Sequence, residues 1–201
     1  NINCKIVQGY GRTSSTKIDR LNTPNHSWNA VELNGKWYLC DPTWASGIID
    51  PKTYTFKFQY NDGYFLTNPN IFVKNHFPED EKWLLIEGTK PTFKEFLEAP
   101  IIYSKAYTTL ALHQSPNKLE NTLQPREKVT FQYKLTKPVE ANQVQLLVDN
   151  GFIDKKVSPN SVQIKDDTLT LEHQFNTTGF YDVHLFIEDE LISTYTFKVK
   201  R

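Results

Sequence analysis

Asn34-Gly35 stands between two short alternating runs, His26–Leu33 and Lys36–Asp41, and this dipeptide constrains the fold more than any other feature of the chain. A two-residue hairpin loop of type I′ requires φ > 0 at both positions, which Asn and Gly accept at low cost. A loop of that length also sets the pairing. Leu33 then faces Lys36, Asn29 faces Cys40 and Trp28 faces Asp41. Side chains alternate along a strand, so His26, two residues from Trp28, shares a sheet face with Asp41. The two are diagonal neighbours at about 7–8 Å between backbones, within reach of long side chains.

A histidine beside a carboxylate has two readings at this point. It is a structural hydrogen bond at a strand end, or it is the base half of a nucleophilic centre. In the second case the carboxylate selects the imidazole tautomer and stabilises the imidazolium, leaving the other ring nitrogen to accept a proton from Cys or Ser. Trp28, on the same face, is a candidate wall for a substrate groove, whereas Trp37 and Trp44 read as core.

The two cysteines, Cys4 and Cys40, do not make a disulfide framework. They are a pair, two buried thiols, or one reactive thiol, and buried free cysteine is the common case. Cys40 adjoins Asp41 but points to the opposite face from His26. Nothing aims Cys4 at His26, and neither residue opens a helix that would lower a thiol pKa. If the pair serves a nucleophile, that nucleophile is therefore expected outside this chain. The absence of Met agrees with a piece of a longer protein.

Beyond the hairpin, Cys4–Tyr10 reads as a strand, Arg12–Asn25 as a loop, and Pro69–Asn75 as a short helix. Thr92 and Glu95 form a capping-box pattern opening a helix over Phe93–Ala99, closed by Pro100. After that, alternation recurs: Val129, Phe131, Tyr133, Leu135; Leu169, Leu171, His173, Phe175; Tyr181, Val183, Leu185, Ile187. Such strands, separated by turns, describe an antiparallel β-sandwich, with Tyr181 after Gly179 placed as a tyrosine corner. The expected domains are 1–99 and 100–201.

Lys+Arg and Asp+Glu both number 23, so a basic nucleic-acid surface is not expected. No apolar run approaches the length of a membrane helix. His76, His113, His173 and His184 show no metal-ligand spacing, and no cofactor or metal is expected. His76 reads as capping or packing a short helix. Gly9-Tyr10-Gly11 is too short for a phosphate loop. Asn25-His-Ser27 and Asn176-Thr-Thr178 match the glycosylation sequon.

His26-Ser-Trp-Asn-Ala-Val followed by Trp37-Tyr-Leu-Cys-Asp41-Pro-Thr-Trp resembles the His and Asp motifs of the transglutaminase-like superfamily. Cys4-Lys-Ile-Val-Gln-Gly-Tyr-Gly-Arg resembles the strand that precedes them. Tyr64-Phe-Leu-Thr-Asn-Pro-Asn-Ile-Phe-Val and His76-Phe-Pro-Glu-Asp-Glu-Lys-Trp83 resemble the kyphoscoliosis-peptidase branch. The resemblance covers about residues 1–88. It implies an α+β fold: a partial papain-like or transglutaminase-like core, an antiparallel sheet with few short helices, followed by an immunoglobulin-like sandwich. It implies His26 as general base and Asp41 as its orienter. The substrate would be a protein or peptide amide, processed through an acyl-enzyme by hydrolysis or transfer, in an exported or cell-surface setting. Cys4 matches a non-catalytic position of the family strand, so this chain alone would be inactive. A core lacking its nucleophile helix would expose apolar surface and invite self-association. The competing readings are a non-catalytic protein-binding relative and an adhesion module built on the sandwich.

Overall fold

A computed structural model describes residues 2–50 and 52–201. Contacts divide the chain into two units, Asn1–Phe96 and Leu97–Arg201. The division falls inside a helix, a few residues before the boundary expected at Pro100.

In the first unit, the strands are β1 (Asn3–Gly11), β2 (His26–Leu33), β3 (Lys36–Cys40), β4 (Gly47–Ile49), β5 (Phe56–Phe58) and β6 (His76–Pro78). The helices are α1 (Pro42–Ser46), α2 (Pro69–Phe72) and α3 (Phe93–Glu98), the last reaching across the division. One antiparallel sheet runs in the order β3-β2-β1-β6, and β4 pairs only with β5. The β2–β3 turn has Asn34 at φ 52 and Gly35 at φ 76, both left-handed. The register follows from this two-residue turn, with Leu33 opposite Lys36 and Asn29 opposite Cys40. One sheet face is core: Val7, Trp28, Ala30 and Leu39 are buried there. α3 is capped by Thr92 and Glu95, which exchange hydrogen bonds as a capping box. Phe93 and Phe96 of α3 pack on Phe77, and Phe93 also meets Tyr10.

The α+β, papain-like expectation is overturned. The protein is 47% strand and 16% helix. Among the described residues, the longest helix is α3, six residues, and α1 and α2 have five and four. Pro42 and Pro69 start α1 and α2, but α1 gives way to Gly47, and neither helix gains the turns needed for a packed amphipathic face. No helix among them is long and apolar enough to cross a membrane.

In the second unit, the strands are β7 (Ile101–Ile102), β8 (Leu110–Ser115), β9 (Glu120–Leu123), β10 (Lys128–Leu135), β11 (Val144–Asp149), β12 (Asp154–Val157), β13 (Ser161–Lys165), β14 (Thr168–Gln174), β15 (Gly179–Ile187) and β16 (Glu190–Val199), with a one-turn helix α4 (Ala106–Thr109). Two sheets form, β13-β14-β10-β8 and β12-β11-β15-β16-β7, with β9 pairing to β16. Period-2 burial dictates their core, which includes Phe131, Leu171, Leu185 and Phe197. The Tyr181 hydroxyl donates back to the Thr177 carbonyl at 3.1 Å, the hydrogen bond of a tyrosine corner.

Candidate functional site

Asp41 follows β3 and caps α1, its Oδ1 accepting from the Trp44 backbone N–H at 3.0 Å. Its side chain is wholly buried. Oδ2 receives two imidazoles: His26 Nε2 at 2.6 Å and His76 Nε2 at 2.9 Å. With Nε2 on the carboxylate, His26 keeps Nδ1 for other chemistry, and its side chain remains 15% exposed.

The central strand makes room for this cluster. Gly9 of β1 faces His26 across the β1–β2 ladder, and Gly11 faces His76 across the β1–β6 ladder. A Cβ at Gly9 would stand 2.3 Å from the Phe77 carbonyl oxygen, and one at Gly11 would stand 2.9 Å from His26 Cβ. The two glycines therefore bring three strands together closely enough for two histidines to meet one carboxylate. Asn25 reinforces the strand end. Its Oδ1 accepts from Gly11 N at 2.7 Å and its Nδ2 donates to Gly11 O at 3.0 Å. The side chain of that sequon is thus committed to the backbone.

Aromatic rings enclose the imidazoles. Trp44 stacks on His26 with centroids 5.1 Å apart, and His76 stacks on Phe72 at 3.9 Å. Trp28, the groove candidate, is 2% exposed and belongs to the core. The half-buried Trp44 is the ring that covers His26. Trp37 packs edge-on against Trp83, away from the histidines.

The electrostatics follow from burial and donors. Burial by itself would raise the Asp41 pKa. Hydrogen bonds from His26 and His76, with the Trp44 N–H, reverse that and hold the carboxyl well below the usual carboxylate range. Burial lowers the His76 pKa, against the pull of Asp41 and of a hydrogen bond to the Phe72 backbone. Asp41 is thus ionised and accepts from a neutral His76 imidazole.

Both cysteines lie on the sheet face opposite His26, Cys4 facing Val31 and Cys40 facing Asn29. Cys40 is buried and Cys4 exposed, and both are free thiols. Burial raises the Cys40 thiol pKa, against a hydrogen bond from Leu66 N–H. Neither can deliver a thiolate to His26 Nδ1.

His26, Asp41 and His76 also form the set of potential metal ligands among the described residues, with ligand atoms within 4.8 Å of one another. Sequence reasoning missed His76. The signal that could have found it is the motif beginning at His76, which by itself reads only as capping or packing a short helix.

No protein-family model matches this chain. Kyphoscoliosis peptidase of Mus musculus is 40% identical over 94 residues, covering 43% of this chain and 13% of that protein. Lim and transglutaminase domain protein ltd-1 of Caenorhabditis elegans is 26% identical over 135 residues, covering 61% of this chain and 18% of that protein. The chain thus spans less than a fifth of either relative. Among solved structures, the Lin-41 filamin domain gives a TM-score of 0.32 at 14% identity, covering 40% of this chain and 83% of that one, a likeness too weak to carry an argument. The chain is homologous to kyphoscoliosis peptidase over the matched stretch, and this local similarity supports a transglutaminase-like relationship.

Proposed function

We propose that the first unit carries the base half of a transglutaminase-like cysteine-peptidase centre acting on protein or peptide amides. His26 is the general base and Asp41 its orienter, and a thiol from outside residues 1–201 is the nucleophile. The observation that carries this reading is the 2.6 Å contact from His26 Nε2 to a buried carboxylate, made by an imidazole whose side chain stays partly exposed.

The chemistry follows from those groups. The thiol gives its proton to His26 Nδ1 and the thiolate attacks the amide carbonyl, forming a C–S bond. The C–N bond then breaks, and the departing amine takes the proton from the imidazolium. Water releases the acyl group as an acid, or an amine takes it as a new amide. Asp41 keeps the proton of His26 on Nε2, so that Nδ1 is the basic nitrogen.

The test is iodoacetamide labelling of the longest form of the protein, with the modified cysteine located by mass spectrometry. A cysteine outside this chain should label fast, and His26→Ala should slow it by about 10²-fold or more, the usual worth of a positioned base. Labelling confined to Cys4, or a rate indifferent to His26→Ala, overturns the reading.

A non-catalytic protein-binding role is favoured by a different observation. β4, β5 and their flanks expose Ile49, Tyr54, Phe56, Phe58, Tyr60 and Phe65, large apolar side chains within a short stretch of sequence. That reading expects partner binding that survives His26→Ala.

A further inference from the structure

We propose that His76 is a positioning residue: by donating to Asp41 Oδ2 it fixes the carboxylate that orients the His26 imidazole. The proposal rests on the reading of His26 as the base, and extends the catalytic pair to a third, buried member.

A buried carboxylate held by one backbone N–H and one partly exposed imidazole can still turn about its last torsion. His76 removes that freedom. Its side chain is wholly buried, its ring is stacked on Phe72 with an interplanar angle of 13°, and Trp28 meets it edge-on at 5.3 Å. Trp44 closes the remaining side at 4.4 Å. The backbone of β6 is tied to β1 at Gly11, so the ring has a fixed origin as well as fixed walls. His26 has the opposite character, since it is partly exposed and lies at the start of its strand. One wholly buried donor and one partly exposed donor thus share one oxygen, and the wholly buried donor sets where that oxygen sits. Among the described residues, the titratable side chains facing His76 include Asp41, His26 and, at 6.4 Å between rings, Tyr64.

A packing role alone would be served by any flat apolar ring. A positioning role needs an N–H at the Nε2 position, which Gln supplies and Phe does not. The experiment is ¹⁵N NMR of the ring nitrogens in the 201-residue chain at mildly alkaline pH, where the ratio of Nε2–H to Nδ1–H forms of His26 is read directly. His76→Phe should lower that ratio by about threefold to tenfold, the net worth of one hydrogen bond. His76→Gln should hold it within about twofold of the wild type. An unchanged ratio in His76→Phe overturns the proposal, and so does a folded His76→Gln that behaves like His76→Phe. Should His76→Phe not fold, the wild-type chain carries the test: a His76 ring N–H must show coupling to the Asp41 carboxyl carbon, and its absence overturns the proposal. Thiol labelling decides whether His26 acts as a base and the tautomer ratio decides whether His76 acts on His26, so either can fail alone.

Discussion

Gly11 lies so close to His26 that a Cβ there would stand 2.9 Å from His26 Cβ and 3.1 Å from its Cγ. The missing side chain on β1 is what allows the imidazole to lean toward Asp41. Gly11→Ala should therefore push the ring off the carboxylate and cost about 1–3 kcal/mol, as overpacking does. Urea denaturation gives the stability loss, and the His26 ring shifts give the displacement. A variant as stable as the wild type, with unchanged ring shifts, would contradict the crowding.

Asp41 joins two histidines and the first turn of α1 in a space without water access. Asp41→Ala should leave three donors without an acceptor and cost about 3–5 kcal/mol, the scale of breaking a buried charged network. Asp41→Asn keeps one acceptor oxygen and should cost less. Chemical denaturation of both variants checks the order, which a network without energetic weight would not produce.

Acid should destabilise the first unit in two stages. His76 has a lowered pKa in the fold, so the unfolded chain takes up its proton first, and stability should fall as pH drops below about 6.5. Asp41 is also lowered, so its contribution is complete above about 3.9 and is lost as pH falls further. The midpoint of urea unfolding against pH should therefore have a shallower upper acid limb in His76→Gln than in the wild type. Superimposable profiles would remove His76 as the source.

The two thiols should differ sharply in reactivity. Cys4 is exposed and Cys40 buried with a raised pKa, so a disulfide reagent should modify Cys4 at least about 10²-fold faster in the folded chain. Because both lie on the face away from His26, His26→Ala should leave the Cys4 rate unchanged. A slowed Cys4 would mean that the imidazole reaches it.

The hairpin was legible because its information is local. Two left-handed positions at Asn34 and Gly35 set the register, and period-2 alternation set the faces that bring His26 to Asp41. The α+β, papain-like expectation already allowed only few short helices, and it failed because the protein is mostly strand. The segments that begin at Pro42 and Pro69 stop after a turn, and one-turn helices do not make a layer. Trp28 and Trp44 exchanged roles for a related reason. Alternation reports which face a residue occupies, but the depth of that face depends on what packs over it.

From sequence alone, the Asn34-Gly35 turn determined that His26 and Asp41 share a face, because a two-residue loop leaves the pairing no other register. Only the tertiary structure decided that His76, 50 residues further along than His26, joins them. That contact depends on β6 pairing with β1 at Gly11, and strand pairs far apart in sequence leave no local period to read.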